Sequence, residues 1–559
     1  MPASHGPAER PMRTMREAGA RPRASPASVA ASLVLTPARA SSSLVAWVAV
    51  LLTATLIVLR SFVFVHYEQA DFDADQAIVG LMATHLAEGR AWPLFFYGQL
   101  YMMGVQAWLA AIVFLLTGPT VFALKLPLVI INVATGGLLV WLLVRETGLR
   151  AWQAATAAAW FASLPPITAS RMVQAQGGTV EPLFYTLLLW LVRRRAVLFG
   201  LLFAFGFLHR EFTLFAVIAI VLLEAWTGEL YSRQRAAHWL VVIVVFLGTR
   251  QAVTLLRHTA SMFGPDAAPP RLEDGITNVD LVARSVCLSA GSMLTNFSWL
   301  VSHNVPTFFG VQAQPPGALI LSQHTTGAPW AAWPALVAVV CALVVVIPRA
   351  WRALPPLRMP PEPRVLLPAM LCLAGVLSLM GVVTGCNVRS LFTIRYHLLL
   401  AFAPVGLTAL AFALDGRRSP DALPSASADP ARAGSRIVVA VMTAAVMVWT
   451  AAMLREHVRL LREYRTSPPA DAYRLLADDL VAHGDKVGWA SYWVSYHVDF
   501  LSQERVQLSP TSAIRIAEYS RQALRAGSTA VVIGSDPCSS GEAGRKVAVW
   551  WVCKGIAER

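Results

Sequence analysis

Three carboxylates, Asp71, Asp73 and Asp75, occur at alternate positions directly after the first long apolar run of the chain. A carboxylate in a water-filled pocket beside a membrane can serve as a general base or stabilise charge. The apolar spacing from Gln76 to Leu86 predicts an amphipathic surface helix, and Asp75 would then be its N-terminal cap. Spacing alone leaves both roles of Asp75 open and favours the cap.

Further ionisable residues lie at the ends of apolar runs that are too short to span a bilayer. Glu181 precedes only eleven apolar residues before Arg193, and His209-Arg210-Glu211 follows a run of thirteen. A helix rises about 1.5 Å per residue and the hydrocarbon core is about 30 Å thick, so these groups must lie at membrane depth. Ionisable groups there face a cavity or one another. Arg210 is therefore expected either to pair with Glu181 or Glu211, or to grip a phosphate.

A last polar cluster contains Arg389, Arg395, Tyr396 and His397 at the end of a predicted helix. Such residues are typical either of interfacial anchoring or of contact with an anionic lipid headgroup. An acidic site and two arginine clusters in one cavity suit a membrane lipid that carries a phosphate leaving group. The carboxylate would deprotonate an acceptor or organise the site, and arginine would stabilise the departing phosphate.

The composition places these residues in a membrane protein. Of the 559 residues, 56% are hydrophobic and 14% are charged, whereas soluble domains carry about 25% charged residues. Repeated uncharged runs of this length belong in lipid. The net charge is +14. In a membrane protein the excess basic residues usually lie in cytoplasmic loops, so this charge does not indicate a nucleic-acid partner.

Arginine clusters decide the topology. Twelve apolar runs occur, at 44–65, 100–117, 120–144, 151–168, 182–192, 196–208, 212–227, 236–256, 328–348, 365–385, 397–414 and 436–454. All strong arginine clusters fall on one side only if 100–117 does not cross the membrane. We therefore predict about eleven spans in a bacterial inner membrane, with a cytoplasmic N-terminus and a periplasmic C-terminus.

The predicted fold is an all-α polytopic membrane domain followed by a small α/β extracytoplasmic domain. Residues 1–43 are expected to be a disordered cytoplasmic tail, 44–454 the membrane domain and 455–559 the C-terminal domain, in which helical and strand-like segments alternate. The membrane domain would include a first periplasmic loop at 66–119, a large periplasmic loop at 258–327 and a cytoplasmic linker at 415–435.

Six cysteines divide into two groups. Cys287, Cys341, Cys372 and Cys386 lie in or near apolar runs, where they are expected to be packing residues. Cys538 and Cys553 lie in the polar C-terminal segment. An extracytoplasmic location would permit a disulfide between them.

Several segments resemble bacterial C-type glycosyltransferases (GT-C), most closely the family-39-like set related to protein O-mannosyltransferases and lipid A aminoarabinose transferases. Residues 73–81 and 95–102 resemble the first periplasmic loop of that family, and residues 118–127 continue the likeness, with Lys125 where the family usually has arginine. The pair Arg395-Tyr396, at the outer end of a predicted helix, also resembles the family. The likeness covers about residues 44–230 and, more loosely, 365–414.

The resemblance implies that a sugar is transferred from a polyprenyl phosphate, a membrane lipid, to a periplasmic acceptor. The transfer would invert the configuration at the anomeric carbon of the sugar. The family's catalytic Asp-Glu pair matches Asp75 and Gln76, so an acid has become an amide, and Asp73 could replace the lost carboxylate. The candidate phosphate-binding residues are Arg210, Arg389, Arg395 and Tyr396, and the other cavity candidates are Tyr97, Gln99, Gln176, Glu181, His209 and Glu211. Some relatives, the oligosaccharyltransferases, need a divalent metal, but no metal or other cofactor is expected here.

Two other functions remain open from the sequence. A transporter or flippase of a lipid-linked anion could use the same arginine-lined cavity, although no internal repeat typical of such transporters is visible. A glycan ligase or polymerase would use a late loop. The corresponding loop, 258–327, contains His258, Arg271, Asp274, Arg284, His303 and His324.

Overall fold

The computed structural model describes residues 38–259, 278–353, 362–386, 389–415, 430–539 and 543–554. The chain divides into two units at Leu44, and of the first unit the structure describes only residues 38–44, the start of the first helix. The prediction of a disordered tail therefore lies outside the described residues up to residue 37, whereas residues 38–43 are helical. Most of the predicted 415–435 linker also lies outside the described residues.

Helices dominate the described chain. They are α1 (Ala38–His66), α2 (Ala74–Ala87), α3 (Val105–Thr117), α4 (Val121–Thr147), α5 (Ala151–Ala162), α6 (Pro166–Arg171), α7 (Glu181–Val192), α8 (Ala196–His209), α9 (Thr213–Thr227), α10 (Arg233–Thr259), α11 (Asn278–Arg284), α12 (Ala290–Trp299), α13 (Val305–Phe308), α14 (Ala332–Ala353), α15 (Pro363–Val383), α16 (Phe402–Asp415), α17 (Pro430–Thr466), α18 (Ala472–Ala482), α19 (Tyr492–Leu501) and α20 (Ala517–Ala526). A 3-10 helix, Leu391–Ala401, leads directly into α16.

Seven helical segments of the described chain are long and apolar enough to cross a membrane: Leu44–His66, Val121–Thr147, Arg233–Leu256, Pro329–Arg349, Pro363–Val383, Leu391–Asp415 and Gly434–Thr466. They match seven of the predicted spans. Three further predicted spans correspond to the shorter apolar helices α7, α8 and α9. The remaining one, 151–168, consists of α5 and the beginning of α6. The prediction of a polytopic helical membrane protein is confirmed.

Helix α2 differs from its prediction as an amphipathic surface helix. It is buried along most of its length, including the polar side chains of Gln76, Thr84 and His85, because α3 packs on it from one side and α19 from another. A Cβ atom added at Gly80 would lie 2.5 Å from the ring of Phe500, so the α2–α19 contact requires a glycine there. The surface prediction was wrong because the covering helix comes from a distant part of the chain.

Two short strands of the first loop, β1 (Phe95–Phe96) and β2 (Gln99–Met103), pair antiparallel. The C-terminal segment contains a five-stranded sheet. Its strands are β3 (Val487–Ala490), β4 (Gln507–Pro510), β5 (Val531–Gly534), β6 (Ala543–Val547) and β7 (Trp550–Lys554), in the spatial order β4-β3-β5-β7-β6. Strand β3 pairs in parallel with β4 and β5, and α19 and α20 supply the crossovers that parallel pairs need. Strands β5, β6 and β7 pair antiparallel. The predicted small α/β region is present, although β6 and β7 were not predicted.

Helix α17 runs without interruption from Pro430 to Thr466. The predicted domain boundary at residues 454 and 455 falls inside this helix, and it stays a prediction. We refer to residues 472–554 as the sheet unit.

Two disulfides join described cysteines, Cys287–Cys386 and Cys538–Cys553, whereas Cys341 and Cys372 are free thiols. The interpretation of Cys287 and Cys386 as packing residues was therefore wrong. Their loops meet at the backbone bridge between Val286 and Gly385, a contact across a sequence separation of 99 residues that apolar patterning does not reveal.

Candidate functional site

A cavity of about 580 Å³ brings together residues from seven segments of the chain. Seven residues selected from the sequence line it: Asp75, Gln99, Gln176, Arg210, Glu211, Arg395 and Tyr396. Its other walls are mostly apolar and include Phe215, Val282, Val286, Met380 and Val382. The cavity therefore combines two carboxylates and two guanidinium groups with a surface suited to hydrocarbon.

Asp75 lies in the first turn of α2, and its side chain is 26% exposed. The Tyr492 hydroxyl donates a hydrogen bond to Asp75 Oδ1 at 2.7 Å. Asp75 Oδ2 lies 3.9 Å from Arg395 Nη1. Asp75 does not cap α2, because the backbone N–H of Gln76 donates instead to Asp73 Oδ1 at 3.1 Å. The capping interpretation of Asp75 was wrong, and its carboxylate is available to the cavity.

Arg395 is held in place by two polar neighbours. Its Nη1 donates to Gln176 Oε1 at 2.6 Å, and its Nη2 donates to the Tyr396 hydroxyl at 3.1 Å. These contacts leave Arg395 near Asp75 without the bidentate fork that a tight Arg–carboxylate pair forms. The guanidinium is thus positioned at the cavity wall with capacity for a further anion.

Asp73 faces the loop before α7 and does not line the cavity. Its Oδ2 accepts a hydrogen bond from Gln176 Nε2, and its Oδ1 caps α2. Burial, with the charges of Asp75 and Asp71 added, raises the pKa of Asp73 to about 6. Asp73 thus holds the start of α2 and the side chain of Gln176 in place next to the cavity.

The raised pKa makes a prediction for stability. The ordinary value is 3.8, so between about pH 4 and 6 the folded protein holds a proton that the unfolded chain releases. Stability therefore falls as the pH rises through this window. We expect the melting temperature of Asp73→Asn to depend less steeply on pH between 4 and 6 than that of the wild type. Thermal unfolding of both proteins in one detergent tests this, and identical slopes would contradict it.

Gln76 occupies the position where the resemblance implies an acid. Its side chain is fully buried; Nε2 donates to the Asp71 carbonyl at 3.3 Å, and Oε1 accepts from the Ala175 backbone N–H at 3.4 Å. A glutamate would place an anion against the Asp71 carbonyl oxygen and could not donate to it when ionised. The amide thus joins the first loop to the second and lies outside the cavity lining.

Arg210 lacks a carboxylate partner in the described structure. Its Nη1 donates to the thioether of Met102 at 2.9 Å, a weak acceptor, and its buried Nε has no hydrogen-bond partner there. Glu181 is instead satisfied by Gln106 Nε2 and the Thr179 backbone N–H, both at 2.8 Å. No ion pair joins Arg210 to Glu181 or Glu211 among the described residues, so the guanidinium remains available to an anion.

The other selected residues lie outside the cavity lining. Glu181 is buried behind it, and His209 receives or donates a hydrogen bond at 2.8 Å with the Tyr185 hydroxyl. Tyr97 lies 2.9 Å from His85 Nδ1. Arg389 Nε donates to Asn296 Oδ1 at 3.4 Å. The structure therefore separates these four residues from the seven that meet at the cavity.

The late-loop residues that would favour a ligase do not form a cluster where the structure describes them. His303 stacks on Trp299 with ring centroids 4.0 Å apart, His324 lies 3.7 Å from Glu463, and Arg284 is exposed. Arg271 and Asp274 lie outside the described residues, as does the side chain of His258. The described part of this loop contributes Val282, Ser285 and Val286 to the cavity wall instead.

Sequence reasoning missed the contribution of the sheet unit to the site. Tyr492 reaches Asp75, and Arg515 Nη1 donates to the Gly98 carbonyl at 2.9 Å. Gly98 has a φ of +73°, which favours glycine, and an added Cβ would lie 2.7 Å from Arg515 Cδ. Nothing in the local sequence around Tyr492 indicates a partner so far away along the chain. In the described chain, no group of three or more His, Cys, Asp or Glu residues is arranged to hold a metal ion.

No family model matches this chain, and no curated protein sequence does. Its fold is similar to ArnT from Cupriavidus metallidurans bound to undecaprenyl phosphate, with a TM-score of 0.54 and 11% identity over 92% of this chain and 98% of that one. The apo state of the same protein gives a TM-score of 0.53 and 10% identity over 93% and 99%. The Archaeoglobus fulgidus oligosaccharyltransferase gives a TM-score of 0.45 and 11% identity over 88% and 69%. The predicted GT-C-like fold is confirmed.

Proposed function

We propose that this protein is a membrane glycosyltransferase that moves a sugar from a polyprenyl-phosphate donor to a periplasmic acceptor, which could be a lipid, a glycan or a protein. One observation carries the proposal: a single cavity holds the Asp75 carboxylate, the Arg395 guanidinium 3.9 Å from it, and Arg210 without a carboxylate partner in the described structure. The likeness to ArnT, which binds undecaprenyl phosphate, supports the same class of donor.

The proposed reaction is an inverting displacement. Asp75 Oδ2 takes the proton from an acceptor hydroxyl as the acceptor oxygen forms a bond to the anomeric carbon of the sugar. The bond between that carbon and the phosphate oxygen breaks, and its electron pair leaves with the polyprenyl phosphate. Arg210 and Arg395 stabilise the negative charge that develops on this phosphate, with Tyr396 bracing Arg395.

The apolar wall of the cavity suits the hydrocarbon part of such a donor. Phe215, Met380 and Val382 belong to helices with apolar compositions typical of membrane spans. A prenyl chain on this wall would leave its phosphate at the polar end near the two arginines. A freely soluble nucleotide-sugar would gain little from the same surface.

We propose that the cavity opens on the periplasmic side of a bacterial inner membrane, with the N-terminus in the cytoplasm and the sheet unit outside. Two disulfides, Cys287–Cys386 and Cys538–Cys553, support this orientation, because disulfides persist in oxidising compartments. The same orientation keeps the arginine clusters in cytoplasmic segments.

A deletion strain tests the function. We expect it to lose the mass of one sugar from a surface glycolipid or glycan, because the transfer step is missing. Complementation with the wild type should restore that mass, and Asp75→Asn at equal membrane abundance should not. A transporter or flippase would instead show undiminished glycan with Asp75→Asn, or loss of the entire lipid-linked species from the outer leaflet; either result would contradict a transferase.

A further inference from the structure

The sheet unit is anchored to the first loop at points around Asp75. Arg474 forms a two-pronged ion pair with Glu68, with both N–O distances 2.7 Å. On the far side of the loop, Glu504 accepts from His85 Nε2 at 3.0 Å. Phe500 fills the space above Gly80. These contacts fix α19, and with it Tyr492, relative to the cavity.

We propose that Tyr492 of the sheet unit is a positioning residue for Asp75. The inference rests on the proposed function, in which Asp75 accepts the proton. The Tyr492 hydroxyl donates to Asp75 Oδ1 at 2.7 Å, and no hydrogen bond of this kind engages Oδ2, which lies 3.9 Å from Arg395 in the described structure and is therefore the oxygen we assign to the acceptor. The sheet unit thereby completes the site, because the described membrane helices place no equivalent hydroxyl donor on Asp75 Oδ1.

The surroundings of Tyr492 keep its hydroxyl a donor. Burial, followed by the nearby charge of Asp75, raises the pKa of Tyr492 well above its usual range. The Arg515 guanidinium, 6.0 Å from the centre of the Tyr492 ring, opposes this rise through its charge and a hydrogen bond to Tyr492 but does not cancel it. The phenol is therefore neutral throughout the pH range in which a transferase would work, and it cannot compete with Asp75 as a base.

Removing the hydroxyl has a distinct consequence. A hydrogen bond to the ionised form of a carboxylate favours ionisation, so its loss should move the acid limb of the pH–rate profile to higher pH. The charged and titratable groups around Asp75 are Asp73 in the same loop, Tyr492 with its neighbour Arg515, and three cavity residues, Arg210, Glu211 and Arg395. Only Tyr492 changes in the variant, which allows the shift to be assigned to it.

The experiment compares full-length wild type, Tyr492→Phe and the matched control Tyr496→Phe. Tyr496 lies one turn further along α19, and its hydroxyl accepts from the Arg515 and Ile516 backbone N–H groups, inside the sheet unit. Each purified protein is added to membranes of the deletion strain, which supply donor and acceptor. The initial rate of formation of the restored species is measured by mass spectrometry from pH 4.5 to 8. Binding of undecaprenyl phosphate and thermal unfolding are measured in parallel.

For Tyr492→Phe we expect a rate lower by about 10-fold or more, the effect of one hydrogen bond to a charged group, with the acid limb at higher pH and undecaprenyl phosphate binding unchanged. Tyr496→Phe should lower the melting temperature and leave the acid limb in place. A Tyr492→Phe protein with the wild-type rate and acid limb overturns the inference. Equal effects of the two substitutions, in proportion to lost stability, also overturn it. If the wild type itself transfers no sugar, the proposed function fails instead.

Discussion

Asp75→Asn is expected to lower the rate of sugar transfer by about 10²–10⁴-fold, the usual contribution of a general base, without lowering the melting temperature. Asn has nearly the same volume, and its side-chain oxygen can still accept the Tyr492 hydrogen bond that Asp75 Oδ1 accepts at 2.7 Å. It cannot accept a proton from the acceptor hydroxyl. The measurement is the initial transfer rate of purified protein supplied with membranes of the deletion strain.

Asp73→Asn is the matched control, with the same substitution two residues earlier. Asp73 caps α2 and accepts from Gln176, and asparagine is as good a cap as aspartate. We expect a rate within about 10-fold of the wild type, because one hydrogen bond behind the cavity is weakened. If Asp73→Asn lost transfer and Asp75→Asn retained it, the two roles would be reversed and the base would be Asp73.

Local patterns in the sequence were sufficient for most of the helical architecture. Apolar run length and arginine placement located α1, α4 and α10, because lipid imposes one simple rule on each span. The same kind of reasoning gave a wrong prediction for helix α2, which was expected to lie on the surface. Its solvent-facing side, as inferred from spacing, is covered by α19, and a contact between segments so far apart leaves no local periodic signal.

In the site, too, features with a local sequence signal could be predicted, whereas those that depend on distant contacts could not. Asp75 was selected from its place after a span, and the structure places it in the cavity lining. The sequence nevertheless favoured it as a cap, because Asp73 and Asp75 are both within reach of a helix start. Gln76 could be recognised as a departure from a resemblance, yet its role as a bridge between Asp71 and Ala175 depends on loop geometry. Tyr492 could not be found, since no spacing rule connects the sheet unit to the first loop.

The second large effect is expected for Arg210→Gln, which should weaken undecaprenyl phosphate binding by about 10- to 100-fold. Each hydrogen bond between a guanidinium and a phosphate contributes about 1.5–3 kcal/mol. In the described structure Arg210 donates to the Met102 thioether and to no carboxylate, so the free protein loses little when the charge is removed. A substitution of Arg395 would test phosphate binding less specifically, because it would also disturb Gln176 and Asp75.

Arg389→Gln is the matched control for Arg210→Gln. Both arginines were selected from the sequence as phosphate ligands, but Arg389 donates to Asn296 and is absent from the cavity lining. Binding of undecaprenyl phosphate to purified protein, measured by native mass spectrometry at one ionic strength, should change less than about 2-fold for Arg389→Gln, since it loses no contact to the phosphate. Equal weakening by both substitutions would mean that the protein attracts the lipid through its overall positive charge, and the cavity would then no longer be the preferred phosphate site.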